Sequence, residues 1–196
     1  MEIIIVRHGE TQHNKAKKMQ GSLPGILTEK GKNQARQVAE SLKQFEFTHI
    51  YCSSLNRAKQ TAEILSEVLS LPITIDGRLD EKNFGVWENR SFDELMHEYP
   101  ELEKNFSWEV WNITPDKAEP LSELTERAVD FLTEMTRRHR GSDRILAVSH
   151  GGPMRVVLGF INGGEPEEYM ARHLDNGQVI RLRYEGSKFI LDSQGL

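Results

Sequence analysis

Two apolar runs in this 196-residue chain end on the same unexpected pair of residues. "IIIV" (3–6) stops at Arg7-His8-Gly9, and "RILAV" (144–148) stops at Ser149-His150-Gly151-Gly152. A buried strand gains nothing by finishing on costly polar side chains unless partners await them there. The two endings therefore read as halves of one site. Arg57, soon after the apolar "HIY" of 49–51, supplies a second guanidinium. Paired guanidiniums present planar forks of donors that match phosphate oxygens. Gly9 lets an anion approach the backbone. Asn14 and Gln20 add neutral donors, and Gly21 and Gly151 complete the candidate phosphate-binding set.

A neutral imidazole attacks phosphorus competently once its tautomer is fixed, and neighbouring arginines keep it unprotonated. His8 in that role would form a phosphohistidine, splitting hydrolysis into two easier displacements. His150 and both arginines would then stabilise the phosphoryl oxygens. A leaving alkoxide also needs a proton. Asp80 and Glu81, in "RLDEKNFGVWE", are the candidates. A carboxyl beside a bound phosphate dianion has its pKa raised, so it is protonated near neutral pH. Spacing does not choose between the two.

The elements that must position these groups follow from periodicity. Residues 2–6 read as a fully buried strand, apolar throughout instead of alternating. "LTEKGKNQARQVAESLKQF" sets Ala35, Val38, Ala39 and Leu42 at helical spacing behind an N-cap at Thr28. "THIYC" is a strand, followed by a helix from Ser54 with Ala58, Ala62, Leu65 and Leu69 inward, and "ITI" (73–75) is a weaker strand. Residues 82–120 interrupt the alternation as an insertion or lid, with a capping box from Ser91 to Glu94 and another helix from Pro100. A helix over 122–139, the strand "RILAVS", a helix over 154–160 and a strand pair in "QVIRLRYEGSKFIL" complete the chain. This order predicts one α/β domain over 1–196: a mostly parallel central sheet with helices on both faces, three layers in all. Ligands bind such sheets at the carboxyl ends of their strands, where all three polar endings lie.

Composition narrows the function classes. Net charge is −5 with no long basic block, which argues against nucleic-acid or anionic-membrane partners. No stretch of about 18 apolar residues occurs. Cys52 is the one cysteine, so thiolate metal sites and internal disulfides are excluded; it reads as a buried core residue, and a reducing cytoplasm as the expected location.

The motifs together resemble the histidine phosphatase superfamily, with its phosphoglycerate mutase-like fold, over nearly the whole length. "VRHGETQHN" resembles the nucleophile signature, "LTEKGKNQA" the helix after it, and "IYCSSLNRAKQTAEIL" the segment with the second arginine. "LDEKNFGVWE" resembles the stretch with the catalytic acid, and "AVSHGGPMR" the second histidine. The resemblance implies His8 as nucleophile, Glu81 as proton donor, and Arg7, Arg57 and His150 around the phosphoryl group, with Asn14 as auxiliary ligand. It implies no cofactor and no metal, a small phosphorylated metabolite as substrate, and the broad phosphatase branch; a homodimer is also compatible. The expected activity is metal-independent phosphomonoester hydrolysis. The rivals are a phosphoglycerate-type mutase and a non-catalytic phospholigand-binding module. Asn89 stands where the family's "WEG" has glycine, and Ala118-Glu119-Pro120 replaces a Gly-Glu-Ser motif.

Other residues read more plainly. His49, His97 and His139 are expected to be structural, and so are His13 and His173, although these two are expected to stand nearer a site. Lys15, Lys17 and Lys18 read as a solvated face. Trp87, Trp108 and Trp111 form either ordinary packing or a lid in which aromatics and Lys82, Lys104 or Lys117 touch the substrate beyond its phosphate.

Overall fold

The computed structural model describes residues 1–103 and 106–192. Strands β1 (Glu2–Arg7), β2 (His49–Cys52), β3 (Ile73–Ile75), β4 (Arg144–Ser149), β5 (Val179–Glu185) and β6 (Lys188–Leu191) form one sheet, ordered β3-β2-β4-β1-β5-β6. The first four strands pair in parallel, while β5 and β6 return antiparallel along one edge. Helices flank this mixed, mostly parallel sheet, giving the expected three-layer α/β architecture.

The helices are α1 (Gln12–Lys15), α2 (Glu29–Leu42), α3 (Asn56–Leu69), α4 (Phe92–Glu98), α5 (Phe106–Asn112), α6 (Leu121–Arg138), α7 (Gly151–Asn162) and α8 (Pro166–Met170). Successive residues of β1 feed opposite layers, as the two-residue period of a strand requires. Ile3 and Ile5 pack with Phe131 and Leu132 of α6 and Met154 and Val157 of α7. Ile4 and Val6 pack with Ala39 and Leu42 of α2 and Ala58, Ala62 and Leu65 of α3. Both faces are covered, which is why the run is apolar without alternation.

Local signals behave as their chemistry predicts at two helix starts. The Thr28 side chain accepts from the Gly31 amide at the head of α2, and Ser91 and Glu94 close the capping box of α4. Two starts differ from the sequence reading. Helix α3 begins at Asn56, not Ser54, because the amide and hydroxyl of Ser54 are both taken by the Asp80 carboxylate at 2.6 Å. Helix α7 begins at Gly151, three residues ahead of Met154, since low glycine propensity hid a start that the strand end imposes.

Residues 84–128 contribute a third cluster. Phe84, Trp87, Leu95, Leu102, Val110 and Trp111 pack with Leu124 of α6, Val156 of α7 and Met170 of α8. Trp87 is fully buried there, and Trp108 packs against the cluster's side. Asn89 adopts φ +66°, a left-handed conformation that asparagine tolerates better than other side chains. That explains how it stands in for the family's glycine.

Candidate active site

The pairing of β1 with β4 builds the centre of the site. Arg7 lies opposite Ser149, and the His8 amide donates to the Ser149 carbonyl at 3.0 Å. The next residue on each strand is a histidine, and the His8 and His150 rings stand 5.0 Å apart between centroids. Arg57 enters from the first turn of α3 and lies 1% exposed between them. Its Nε donates to His8 Nε2 at 3.2 Å and His150 Nδ1 at 3.1 Å. Its other nitrogens are held by the Gly21 carbonyl at 2.7 Å and the Leu23 carbonyl at 3.1 Å. Glu88 pins this loop, accepting from the Ser22 amide at 2.6 Å and the Phe84 amide at 3.1 Å.

These bonds settle both tautomers. His8 Nδ1 lies 2.7 Å from the Gly9 carbonyl, which can only accept, so Nδ1 carries the proton and Nε2 the lone pair. Ser53 Oγ gives its proton to Asp80 at 2.7 Å, so it accepts from His150 Nε2–H, also at 2.7 Å. Burial first, then the positive charges of Arg57 and Arg7, holds the His8 pKa well below the usual imidazole range. His150 is lowered likewise, chiefly by burial and then by Arg57.

The two candidate carboxylates separate sharply. Asp80 is consumed by Ser53 and Ser54 and does not line the cleft. Glu81 does line it, its Oε1 accepting from the Lys82 amide at 2.9 Å and the Gly152 amide at 3.1 Å. Gly152 is required here by space: a Cβ would sit 2.2 Å from Glu81 Oε1 and 2.9 Å from the Trp111 ring. Arg127 of α6 braces the same segment, donating to the carbonyls of Arg78, Asp80 and Glu81 while paired with Glu119. No local motif announced that arginine.

A cleft of about 330 Å³ opens above these groups. Its floor includes Arg7, His8, Asn14, Gln20, Gly21, Arg57, Glu81 and Gly151, so the structure gathers nearly every proposed site residue. His150 lies behind, fully buried against Arg57 and Ser53. Arg7 donates to the Leu174 carbonyl, but its Nε is buried without a partner among the described residues. Asn14 Oδ1 is occupied by Thr11 and Asn176, which leaves its amide nitrogen for a ligand.

The expectations for the other basic and aromatic residues divide. Lys82 does not line the cleft: it is fully buried, donating to the carbonyls of Trp111 (3.1 Å) and Ile113 (3.3 Å), and burial lowers its pKa to about 8. Lys117 is exposed at a turn away from the cleft, and Lys104 lies outside the described residues. Lys15 and Lys17 are solvated, but Lys18 lines the cleft. Of the tryptophans only Trp111 does so. His173 is at the rim, whereas His13 is not among the lining residues. His139 is buried against the Tyr51 hydroxyl at 3.0 Å, His49 and His97 are away from the cleft, and Cys52 is buried with its thiol pushed up to about 12. Arg155 and Arg172 line the cleft and were not foreseen. Among the described residues, no group of three or more histidine, cysteine or acidic side chains is placed to hold a metal, and no helix is long and apolar enough to cross a membrane.

The family model of the histidine phosphatase superfamily, branch 1, matches residues 3–195. A protein of Escherichia fergusonii named "Probable phosphoglycerate mutase GpmB" is 36% identical over 194 residues, covering 97% of this chain and 88% of that one. Among solved structures, Bacillus stearothermophilus YhfR superposes with a TM-score of 0.89 at 27% identity, covering 99% of this chain and 96% of that one. The alpha-ribazole phosphatase of Shigella flexneri gives 0.84 at 28% identity, with 98% and 95% covered.

Proposed function

The chain belongs to the histidine phosphatase superfamily, and from that premise we propose that it is a metal-independent phosphomonoesterase working through a phosphohistidine on His8. The observation that carries this reading is the unprotonated Nε2 of His8 on the cleft floor, set beside the unpartnered Nε of Arg7 and covered, among the described residues, only by the Arg57 Nε–H that a phosphoryl group would draw away. A phosphoryl group entering there takes over the donors of Arg57 and satisfies Arg7. Its oxygens then meet preformed cations, donors that need no reorganisation as charge develops. His8 Nε2 attacks phosphorus as the ester oxygen leaves. Glu81 gives that oxygen a proton, then takes one from the water that releases phosphate from His8. Asp80 positions His150 through Ser53 and transfers no proton to substrate.

The named relatives include both a mutase and a phosphatase, so the fate of the phosphoryl group decides between them. Rapid acid-free quench of the enzyme with a radiolabelled phosphomonoester is expected to trap one acid-labile, base-stable phosphoryl group, absent from His8→Asn. Free phosphate should then accumulate; transfer to a second hydroxyl of a phosphoglycerate without free phosphate would instead assign a mutase. Undiminished hydrolysis by His8→Asn would remove the nucleophile from this scheme.

A further inference from the structure

We propose that Arg155 forms a second anion subsite beside the phosphoryl pocket, selecting phosphate esters whose organic part carries a carboxylate along an apolar wall. This inference rests on the phosphomonoesterase reading above. Arg155 projects from α7 one turn beyond Gly151 and lines the cleft. Its Nε donates to the Arg172 carbonyl at 2.7 Å, and its guanidinium lies 5.2 Å over the Trp111 ring. The side chain is thus held at two points while Nη1 and Nη2 stay unpaired among the described residues. Gly151 leaves the opening between two cations: a Cβ there would lie 2.6 Å from Arg155 Nη1 and 3.7 Å from Arg7 Nε.

Charge balance shows why this group wants a ligand of its own. Among the described residues the cleft is lined by the cations Arg7, Lys18, Arg57, Arg155 and Arg172, and by the single carboxylate of Glu81. A phosphoryl dianion offsets Arg7 and Arg57, and Glu81 must carry a proton when it acts as the acid. Arg155 is then left as a cation in a partly desolvated wall without a counter-charge, which is costly. Burial draws its pKa down to about 10, so it stays charged at neutral pH. A carboxylate matches its free fork of donors. Phe84, Val110, Trp111 and Met170 beside it suit a carbon skeleton, not a polyhydroxy chain.

The test compares kcat/KM of the wild type and Arg155→Met for phenyl phosphate, meta-carboxyphenyl phosphate and para-carboxyphenyl phosphate. Taking ratios between enzymes cancels differences in leaving group. The preference for at least one carboxylated ester over phenyl phosphate is expected to fall about ten- to hundredfold, the worth of one charge-assisted fork. Arg155→Lys, which keeps the charge but not the fork, should retain part of it. Equal loss on all three esters would assign Arg155 to the phosphoryl group and overturn the proposal, as would a wild type indifferent to the carboxylate. Failure to hydrolyse phenyl phosphate at all would instead strike the underlying phosphomonoesterase reading.

Discussion

Replacing Glu81 by Gln separates proton donation from everything else that side chain does. The amide is nearly the same size, and its carbonyl oxygen can keep both the Lys82 amide (2.9 Å) and the Gly152 amide (3.1 Å). Stability should therefore change by no more than about 1 kcal/mol. Activity should fall according to how badly the leaving group needs a proton. General acid catalysis contributes about 10²- to 10⁴-fold, or about 3–5 kcal/mol of barrier. An alkyl phosphate should lose that much in kcat/KM, because an alkoxide is a poor leaving group. para-Nitrophenyl phosphate, whose phenolate departs unaided, should lose less than about tenfold. Phosphate release from each ester, read as kcat/KM, reports steps up to formation of the phosphoenzyme and is blind to its later hydrolysis. Equal losses on both esters would refute a proton-donating Glu81. A larger, leaving-group-dependent loss in Asp80→Asn would move the role to Asp80.

Three further outcomes are expected. Gly152→Ala should mimic Glu81→Gln on alkyl esters while leaving the helix intact by circular dichroism, since the added Cβ displaces the Glu81 carboxylate; full alkyl phosphatase activity would show that Glu81 has room to spare. His8 and His150 are buried with depressed pKa values, so below about pH 6.5 the unfolded chain takes up protons that the native chain refuses. Stability in urea should then fall on acidification by about 1.4 kcal/mol per pH unit for each imidazole, and His150→Asn should remove one such slope; an unchanged slope would contradict the assignment. For Lys82, with its pKa lowered from 10.5 to about 8, the native chain releases its proton first as pH rises through that window. The wild type should gain about 3 kcal/mol on Lys82→Met between those limits, and a constant difference in urea would show that the ammonium is not strained.

The legible parts of the site are those encoded within a few residues. Arg7-His8 and Ser149-His150 each sit at the end of one apolar run, so local pattern and sheet topology sufficed to bring them together. Glu81 and Asp80 are neighbours with equal chemistry, and only tertiary hydrogen bonds to Ser53 and Ser54 distinguish them. The choice among Lys82, Lys104 and Lys117 is not legible, because an isolated lysine gives no sign that its ammonium will be buried under the carbonyls of Trp111 and Ile113. Arg155 was within reach. It lies four residues after Gly151, on the same face of a helix, but a helix start assigned at Met154 concealed that spacing. Arg127 was not, since its partners are carbonyls nearly fifty residues away.

The neighbouring positions of β1 and β4 have a consequence for how activity is acquired. His150 lies some 140 residues after His8 in the chain, and β4, the strand that ends on it and pairs directly with β1, is the last parallel one to be made. A nascent chain that lacks β4 therefore holds His8 without the strand that covers its flank, although Gly9, Arg7 and Arg57 are already made. If His8 acts with His150 as proposed, turnover itself reports completion of the sheet, and no amino-terminal fragment lacking β4 should capture phosphate.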